Sequence, residues 1–471
     1  MEWAGSPEIL ASPGAHLPLL TLAIAAQQFA WGVEQAYVSR FLLQLGMHRQ
    51  TLSLVWIAGP LCGLVVQPSI GAISDFWASE KGRRRPFMWW SALAVAFGMV
   101  CFAWAEDIAS IADISPLAVA TAGVLLVDVA INVCGATSRA LIVDVIPRES
   151  QAAANAWAGR MSAGGHLASY FLCSIDIAHL FGTQIKSVCA IAAFLLVFGV
   201  GITCAAVRER YLVQHPHSAM DQLKTLFRTS FDAAIHLDNV LAAIFKVQLF
   251  GWYAWFTVLF FGAEWAAEIW KNAHTAASPD EVARAGSRAL LVFSCSATFW
   301  SVVLPWVKVS LFSLWSISYV VYALAAVSAW FMTAYSMVLG TFAVFGFAWS
   351  MTCWAPFALT AQRIHQLPSN LPQRQVSDPQ EVLLLVDSSS SDQGEPTPDE
   401  SVAEMSGIYL GLLNTAITLP QFLSTFGSFV VFRIMNSSQE DGSAIAVSIQ
   451  VGSIMALLAA YHASRIGKIW N

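Results

Sequence analysis

Stretches of about twenty consecutive apolar residues recur along this chain from one end to the other, and nothing constrains its fold more. A helix needs about 20 apolar residues to cross the hydrocarbon core of a bilayer. Twelve such runs can be placed, at 17–38, 52–74, 87–105, 116–146, 152–177, 186–207, 239–262, 286–307, 311–332, 336–361, 406–432 and 443–464. Barrel strands alternate over segments of about 10 residues, whereas these runs are longer and apolar on every face. They predict an all-α integral membrane protein of twelve transmembrane helices, because a helix in lipid satisfies its own backbone hydrogen bonds. Composition agrees: 57% of the 471 residues are hydrophobic and 11% charged, against about 25% charged in an ordinary soluble domain. The first run follows a polar start without a basic region or a small-residue cleavage site, so it is expected to stay in the mature protein.

Where the charges lie matters more than their net value of -6. With both chain ends on one side, fourteen of the 24 Lys and Arg fall on that side and seven on the other, with Arg139, Arg160 and Lys246 inside runs. The positive-inside rule then predicts both termini in the cytoplasm. Two long polar segments punctuate the runs. Residues 208–238, of mixed charge, form a central cytoplasmic loop between an N-terminal six-helix bundle, 1–207, and a C-terminal one, 239–471. Residues 364–405, acidic and Ser-rich with "SSSSD" at 388–392, have the composition of a disordered tether. Six runs, a loop and six runs is the plan of transporters that place a central site near the membrane midplane between two bundles.

The loop after the second run reads "GAISDFWASEKGRRRP", residues 71–86. Gly71 would permit close helix approach, Asp75 ends the helix, and Gly82 turns the chain before Arg83, Arg84 and Arg85. The spacing resembles the loop 2–3 signature of the major facilitator superfamily. An Asp–Arg pairing there would lock an inner gate through charge-assisted bonds. The corresponding loop in the second half, "LPWVKVSLFSLW", lacks the pattern.

A charge at bilayer depth costs at least about 2.5–3.5 kcal/mol, so each one is a candidate site. "LLVDVAINVCGATSRALIVDV", residues 125–145, carries three. Asp128 and Arg139 are eleven residues apart, about 1100° of helix rotation, and so share one face about 16 Å apart. Asp144 lies nearer the cytoplasmic exit beside Arg148, where a gating role suits it better. In the first run Gln27, Trp31 and Glu34 again share a face; an amide, a ring and a carboxylate suit a sugar's hydroxyls and C–H face, the alternative being an interhelical network. Span 5 carries Arg160 and His166 among Gly159, Ala163, Gly164 and Gly165, which allow tight helix packing. Span 7 is rich in tryptophan, with Trp255 a candidate substrate contact. Its Glu264 and Glu268 are expected at the exposed interface. Span 11 offers Asn414 and Gln421 on one face.

No enzyme motif is present: no Walker loop, no HExxH, no GxSxG and no dinucleotide fingerprint. The eight cysteines lack CxxC or metal-ligand spacing and read as small packing residues. No cofactor, metal or nucleic acid is expected, and the energy source would be a gradient.

Seven ordered segments resemble the sucrose and alpha-glucoside proton symporters of plants and fungi, and related animal sugar transporters, within the major facilitator superfamily. They are "QPSIGAISD…GRRRPF", "LLVDVAIN…SRALIVD", "ANAWAGRMSAGGHLASY", "VQLFGWYAWF", "RAGSRALL", "WAPFAL" and "YLGLLNTAITLPQF". The resemblance implies that Asp128 is the proton-carrying aspartate and Arg139 the essential span 4 arginine. Sugar hydroxyls would satisfy the protonated Asp128, and Arg139 would pair with it after proton loss. Departures are informative. "EWAAEIW" lacks the plant Arg–Glu pair, Ile131 replaces the first asparagine of the family's span 4 motif and leaves Asn132, and Gln362 stands where relatives carry an acid near span 10. Maltose-type glucosides are therefore as plausible as sucrose. The resemblance implies a monomeric, proton-coupled sugar importer of the plasma membrane, or of a vacuolar or other endomembrane. Its rivals are a proton-independent uniporter or exporter and a non-transporting sugar receptor. "NSS" at 436–438 is a sequon close to span 11.

Overall fold

The computed structural model describes residues 2–75, 77–147, 150–214, 228, 231, 234–235, 237–364, 366, 398–435 and 443–470. Its long helices fall on the apolar runs. They are α1 (His16–Gln44), α2 (Arg49–Asp75), α3 (Arg85–Ala103), α4 (Pro116–Val145), α5 (Gln151–Ser174) and α6 (Gln184–Ala206). After them come α7 (Asn239–Ala273), α8 (Pro279–Trp306), α9 (Leu311–Phe331), α10 (Tyr335–Ile364), α11 (Pro398–Met435) and α12 (Ser443–Ile469). Among the described residues ten helices are long and apolar enough to cross a membrane. The more polar α1 and α5 are not among those ten.

Helix ends follow local chemistry. α4 begins on Pro116, whose fixed φ suits the first turn, and stops at Ile146, before Pro147, because the residue preceding a proline leaves the helical region. α8 opens with a reciprocal capping box between Ser278 and Glu281. Asp238 caps α7 by accepting from the amides of Val240 and Leu241. α2 is irregular: it breaks at Trp56 and Ile57 and passes through a π turn at Cys62–Val66. Such wide turns leave backbone positions off the regular ladder and gather at functional sites.

Three elements depart from the sequence reading. α7 continues eleven residues past the expected end at 262, because Glu264 and Glu268 are accommodated inside the protein rather than marking an exit. α11 begins at Pro398, inside the segment read as a disordered loop, since proline is a favourable first helical residue. The rest of that loop and the Asn436 sequon lie outside the described residues. Two short antiparallel ladders interrupt the all-helical expectation: β1 (Glu2–Ala4) pairs β4 (Tyr211–Gln214), and β2 (Glu8–Ile9) pairs β3 (Val207–Arg208). They join the N-terminal segment to the chain leaving α6, where polar backbone finds no helix to complete it.

Helices before residue 207 pack chiefly on one another, with α3 against α4 and α1 against α5 and α6. Helices after 239 do the same, α12 against α7 and α9 and α8 against α10. The two groups meet through α5 with α8, α2 with α11, and α1 with α7 and α8. Large apolar side chains such as Trp90, Phe97, Leu324 and Phe426 remain exposed on helices whose other faces are buried. A lipid-facing surface accounts for that pattern, and burial inside a soluble core does not.

Candidate functional site

The polar face of α1 predicted from spacing runs antiparallel along α4. Near one end of the shared face Gln27 donates its amide to the Ile131 carbonyl at 3.3 Å. Further along, Glu34 and Asp128 come close enough for their charges to act on one another. Both are 3% exposed. Neither Glu34 oxygen has a hydrogen-bond donor, and Asp128 Oδ2 has none either. Trp31, between Gln27 and Glu34, packs its ring on His166 of α5 at 5.5 Å. Asn132 donates to the Asp128 carbonyl at 2.8 Å and accepts from Gln67 Nε2 of α2 at 2.7 Å. The irregular part of α2 therefore borders the same site, and a Cβ at its Gly59 would sit 3.5 Å from Asp128 Oδ1. Arg139 is exposed further along the Asp128 stripe, as the spacing predicts.

Beyond Arg139, towards the end of α4, lies a charged cluster. Arg83 donates Nε to Asp144 Oδ2 at 3.0 Å and Nη2 to Asp144 Oδ1 at 2.5 Å. Arg84 donates Nε to Asp144 Oδ2 at 2.9 Å and pairs with Asp75 and Ser74 through its other nitrogens. The structure thus brings together Asp75, Arg83, Arg84 and Asp144, whereas Arg148 lies outside the described residues. Arg85 joins through its backbone: its amide and that of Arg84 donate to Glu209, which follows α6. Burial pushes the Glu209 carboxyl up, against the lowering effect of those amides. Gly82 adopts φ 98°, a turn that only glycine makes without strain. Gly71 differs from its expected role. No atom lies within 4 Å of where its Cβ would be, and its carbonyl accepts from Arg84 Nη1 at 3.3 Å.

The opposite ends of the same helices carry a correction. Glu264 and Glu268 are not exposed interfacial acids; they are 2% and 3% exposed. Arg40 of α1 donates to Glu264 at 2.8 Å, and Arg49 at the start of α2 pairs with Glu268. Around these pairs Ser39 donates to the Phe260 carbonyl at 2.7 Å, and Trp56 donates to Ser39 at 3.1 Å. Arg284 pairs with Asp176 at 3.5 Å, and the Gln184 amide donates to Asp280 at 3.2 Å. Each of these links except the Trp56–Ser39 bond crosses between the two helix groups. The groups are therefore stitched together at this end, whereas the arginine cluster at the other end lies wholly within the first group.

Other predicted residues stay apart. Trp255 is fully buried in the second group, donating to Thr352 at 3.0 Å with its ring against Tyr322 and Trp349. Asn414 is exposed on α11. Arg160 is exposed, 5.4 Å from the centre of the Trp157 ring. Of the small residues in α5, Gly165 makes the tight contact: a Cβ there would strike the Ala25 carbonyl, whereas Gly159 and Gly164 face open space. Gln67, Arg40, Arg49 and Glu209 escaped sequence reasoning. Arg40 and Arg49 were visible only as charges counted for sidedness, and a count takes no account of pairing.

No family model matches the chain. It is 26% identical to a general alpha-glucoside permease of Schizosaccharomyces pombe, over 95% of this chain and 92% of that one. It is 25% identical to a sucrose transport protein of Oryza sativa subsp. indica, over 94% and 93%. In three dimensions it matches a mutant of the nucleoside transporter NupG with a TM-score of 0.65 at 13% identity, covering 96% of this chain and 99% of that one. The relatives are permeases and transporters rather than enzymes, and the fold is that of a membrane transporter.

Proposed function

We propose, from the premise that this chain is a relative of the sucrose and alpha-glucoside transporters with the major facilitator fold, that it imports a disaccharide or alpha-glucoside together with a proton. The reading is a sucrose- or maltose-type symporter, monomeric and multi-pass in the plasma membrane. It has twelve spans in two six-helix bundles, with both termini cytoplasmic and the proton gradient as its energy source.

Asp128 is the observation that carries this reading. It is a carboxylate inside the protein, short of a donor, on the same stripe as an exposed arginine. An ionised carboxyl without partners in apolar surroundings is costly, and a proton removes that cost. A protonated Asp128 can also donate to a sugar hydroxyl. Gln27, Trp31, Asn132 and His166, gathered on α1, α4 and α5, supply amide, ring and imidazole contacts beside it. When the proton leaves, the carboxylate attracts Arg139, and that pairing resets the empty carrier. Proton and sugar then strengthen each other's binding reciprocally.

Alternating access follows from the two ends. With the arginine cluster cytoplasmic, the Arg40–Glu264 and Arg49–Glu268 pairs close the outer side. Asp75, Arg83, Arg84 and Asp144, with Arg148, form the inner gate within the N-terminal bundle. The test is uptake of radiolabelled sucrose or maltose into vesicles carrying the protein. Uptake should collapse with a protonophore and rise as external pH falls. Sugar uptake indifferent to both treatments would refute the coupling.

A further inference from the structure

We propose that Glu34 is a second proton-binding group of the carrier, forming with Asp128 one buried pair of carboxyls that exchange protons together. The transport consequence rests on the symport reading above.

The geometry starts from what surrounds Glu34. It borders a small cavity of about 10 Å³ whose other walls include Val33, Val38, Met99, Phe102, Val124 and Val127. A cavity of that size is at the lower limit for one water, and a sugar ring does not fit. In this conformation Glu34 is therefore placed to hold a proton rather than a hydroxyl-rich ligand. Its two oxygens have no donor, although the side chain is more than nine-tenths buried. Native proteins rarely leave a buried polar group unmade, because the desolvation cost falls wholly on that group.

The titratable groups around it come from every packed element. α4 contributes Asp128, whose charge acts directly on Glu34. α2 contributes the Cys62 thiol and α6 the Cys189 thiol, both of which feel the Glu34 charge. α5 presents His166 to Trp31, Tyr170 to Gln35, and the Cys173 carbonyl to Tyr37. On α1 itself Arg40 is engaged by Glu264 of α7, and on α8 Arg284 is engaged by Asp176. Asp128 is thus the acidic group whose charge acts on Glu34. Two buried carboxylates whose charges act on one another repel when both are ionised, and neither has enough donors, so a proton shared by the pair is the low-cost arrangement. The irregular α2 lies beside Asp128, with the Cβ position of its Gly59 3.5 Å from Asp128 Oδ1.

The experiment uses the full chain reconstituted in liposomes, as wild type, Glu34→Gln, Glu34→Asp and Asp128→Asn. Radiolabelled maltose and sucrose uptake is measured from pH 5 to pH 8, with sugar counterflow at equal pH on both sides. Glu34→Gln should keep counterflow and shift the pH midpoint of KM by about one unit, a tenfold change in proton affinity. Glu34→Asp should return the profile towards wild type. A Glu34→Gln profile superimposable on wild type, or lowered by one factor at every pH, overturns the proposal.

A second readout does not depend on transport. Infrared difference spectra between the two pH extremes should retain a protonated-carboxyl stretch in Asp128→Asn. That band should vanish when Glu34→Gln is added, and shift in frequency with Glu34→Asp. Absence of a Glu34-dependent band overturns the proposal even where a variant transports poorly. Protonophore-insensitive uptake by the wild type would sink the symport reading alone, leaving the infrared pair to decide Glu34.

Discussion

Among the described residues five acidic side chains are almost wholly buried; Glu209 is held by the Arg84 and Arg85 amides, and the other four divide into two kinds. Glu264 and Glu268 each face an arginine, Arg40 and Arg49, across the junction between the groups. Glu34 and Asp128 act on one another by charge instead, and three of their four oxygens lack a donor. Burial is equal in the two places, so burial does not separate a lock from a chemical site. The partner does. A buried acid held by an arginine fixes two surfaces together, whereas one left with another acid has a standing reason to take up and give back a proton.

Removing an arginine breaks that contrast most severely. Arg49→Ala would convert Glu268 into an unpartnered buried acid, a change that costs about 3–5 kcal/mol when one member of a buried pair is lost. Thermal unfolding in detergent at pH 7 should show it as a large fall in Tm, partly recovered in Arg49→Ala/Glu268→Gln. Glu34→Gln sharpens the contrast, since it takes away a charge that has no cation to lose, and its stability should stay within about 1 kcal/mol of wild type. A large loss there would mean that Glu34 has a structural partner after all.

Asp144→Asn is expected to rank next. It withdraws the shared carboxylate from both Arg83 and Arg84, and hydrogen bonds to charged groups contribute about 1.5–3 kcal/mol. In the symport reading it should also loosen the inner gate, measurable as faster sugar efflux. The smallest effect belongs to Asp238, a half-buried acid at the start of α7. Partial burial works to raise its carboxyl. Its two bonds from Arg363 and those from the Val240 and Leu241 amides outweigh that, and hold it below the ordinary carboxylate range. A lowered folded value contributes stability above the unfolded value near about 4, and that contribution is lost as pH falls through the folded value. Asp238→Asn should therefore lower stability at pH 7 by less than about 1 kcal/mol. Melting curves at descending pH should show the gap to wild type closing below about pH 4.

The fold was legible in the sequence because lipid leaves a chain few options: runs of about twenty apolar residues must be helices. The structure gives a helix for every run and lengthens several of them, α7 and α11 the most. α7 overran its expected end because Glu264 and Glu268 look like exit signals until their arginines are seen. The stripe of Gln27, Trp31 and Glu34 and that of Asp128 and Arg139 were readable from helical periodicity alone. Which stripe meets which was not readable, since contacts between α1 and α4 join residues about a hundred positions apart. Gln67 was hidden for another reason: the break and π turn in α2 shift its face away from any regular count. Arg40 and Arg49 were hidden because a charge near a helix end looks the same whether it faces water or a buried glutamate. The seven family-like segments identified a relative, yet they carry no information on pairing.

The account turns on proton coupling through Asp128, and one measurement addresses it directly. Proteoliposomes bearing wild type or Asp128→Asn are given an inward proton gradient, and accumulation of radiolabelled maltose or sucrose is followed with and without a protonophore. Wild type should concentrate sugar above its external level and lose that ability with the protonophore, while Asp128→Asn should exchange sugar in counterflow without ever concentrating it. Gradient-driven accumulation by Asp128→Asn equal to that of wild type would contradict the account.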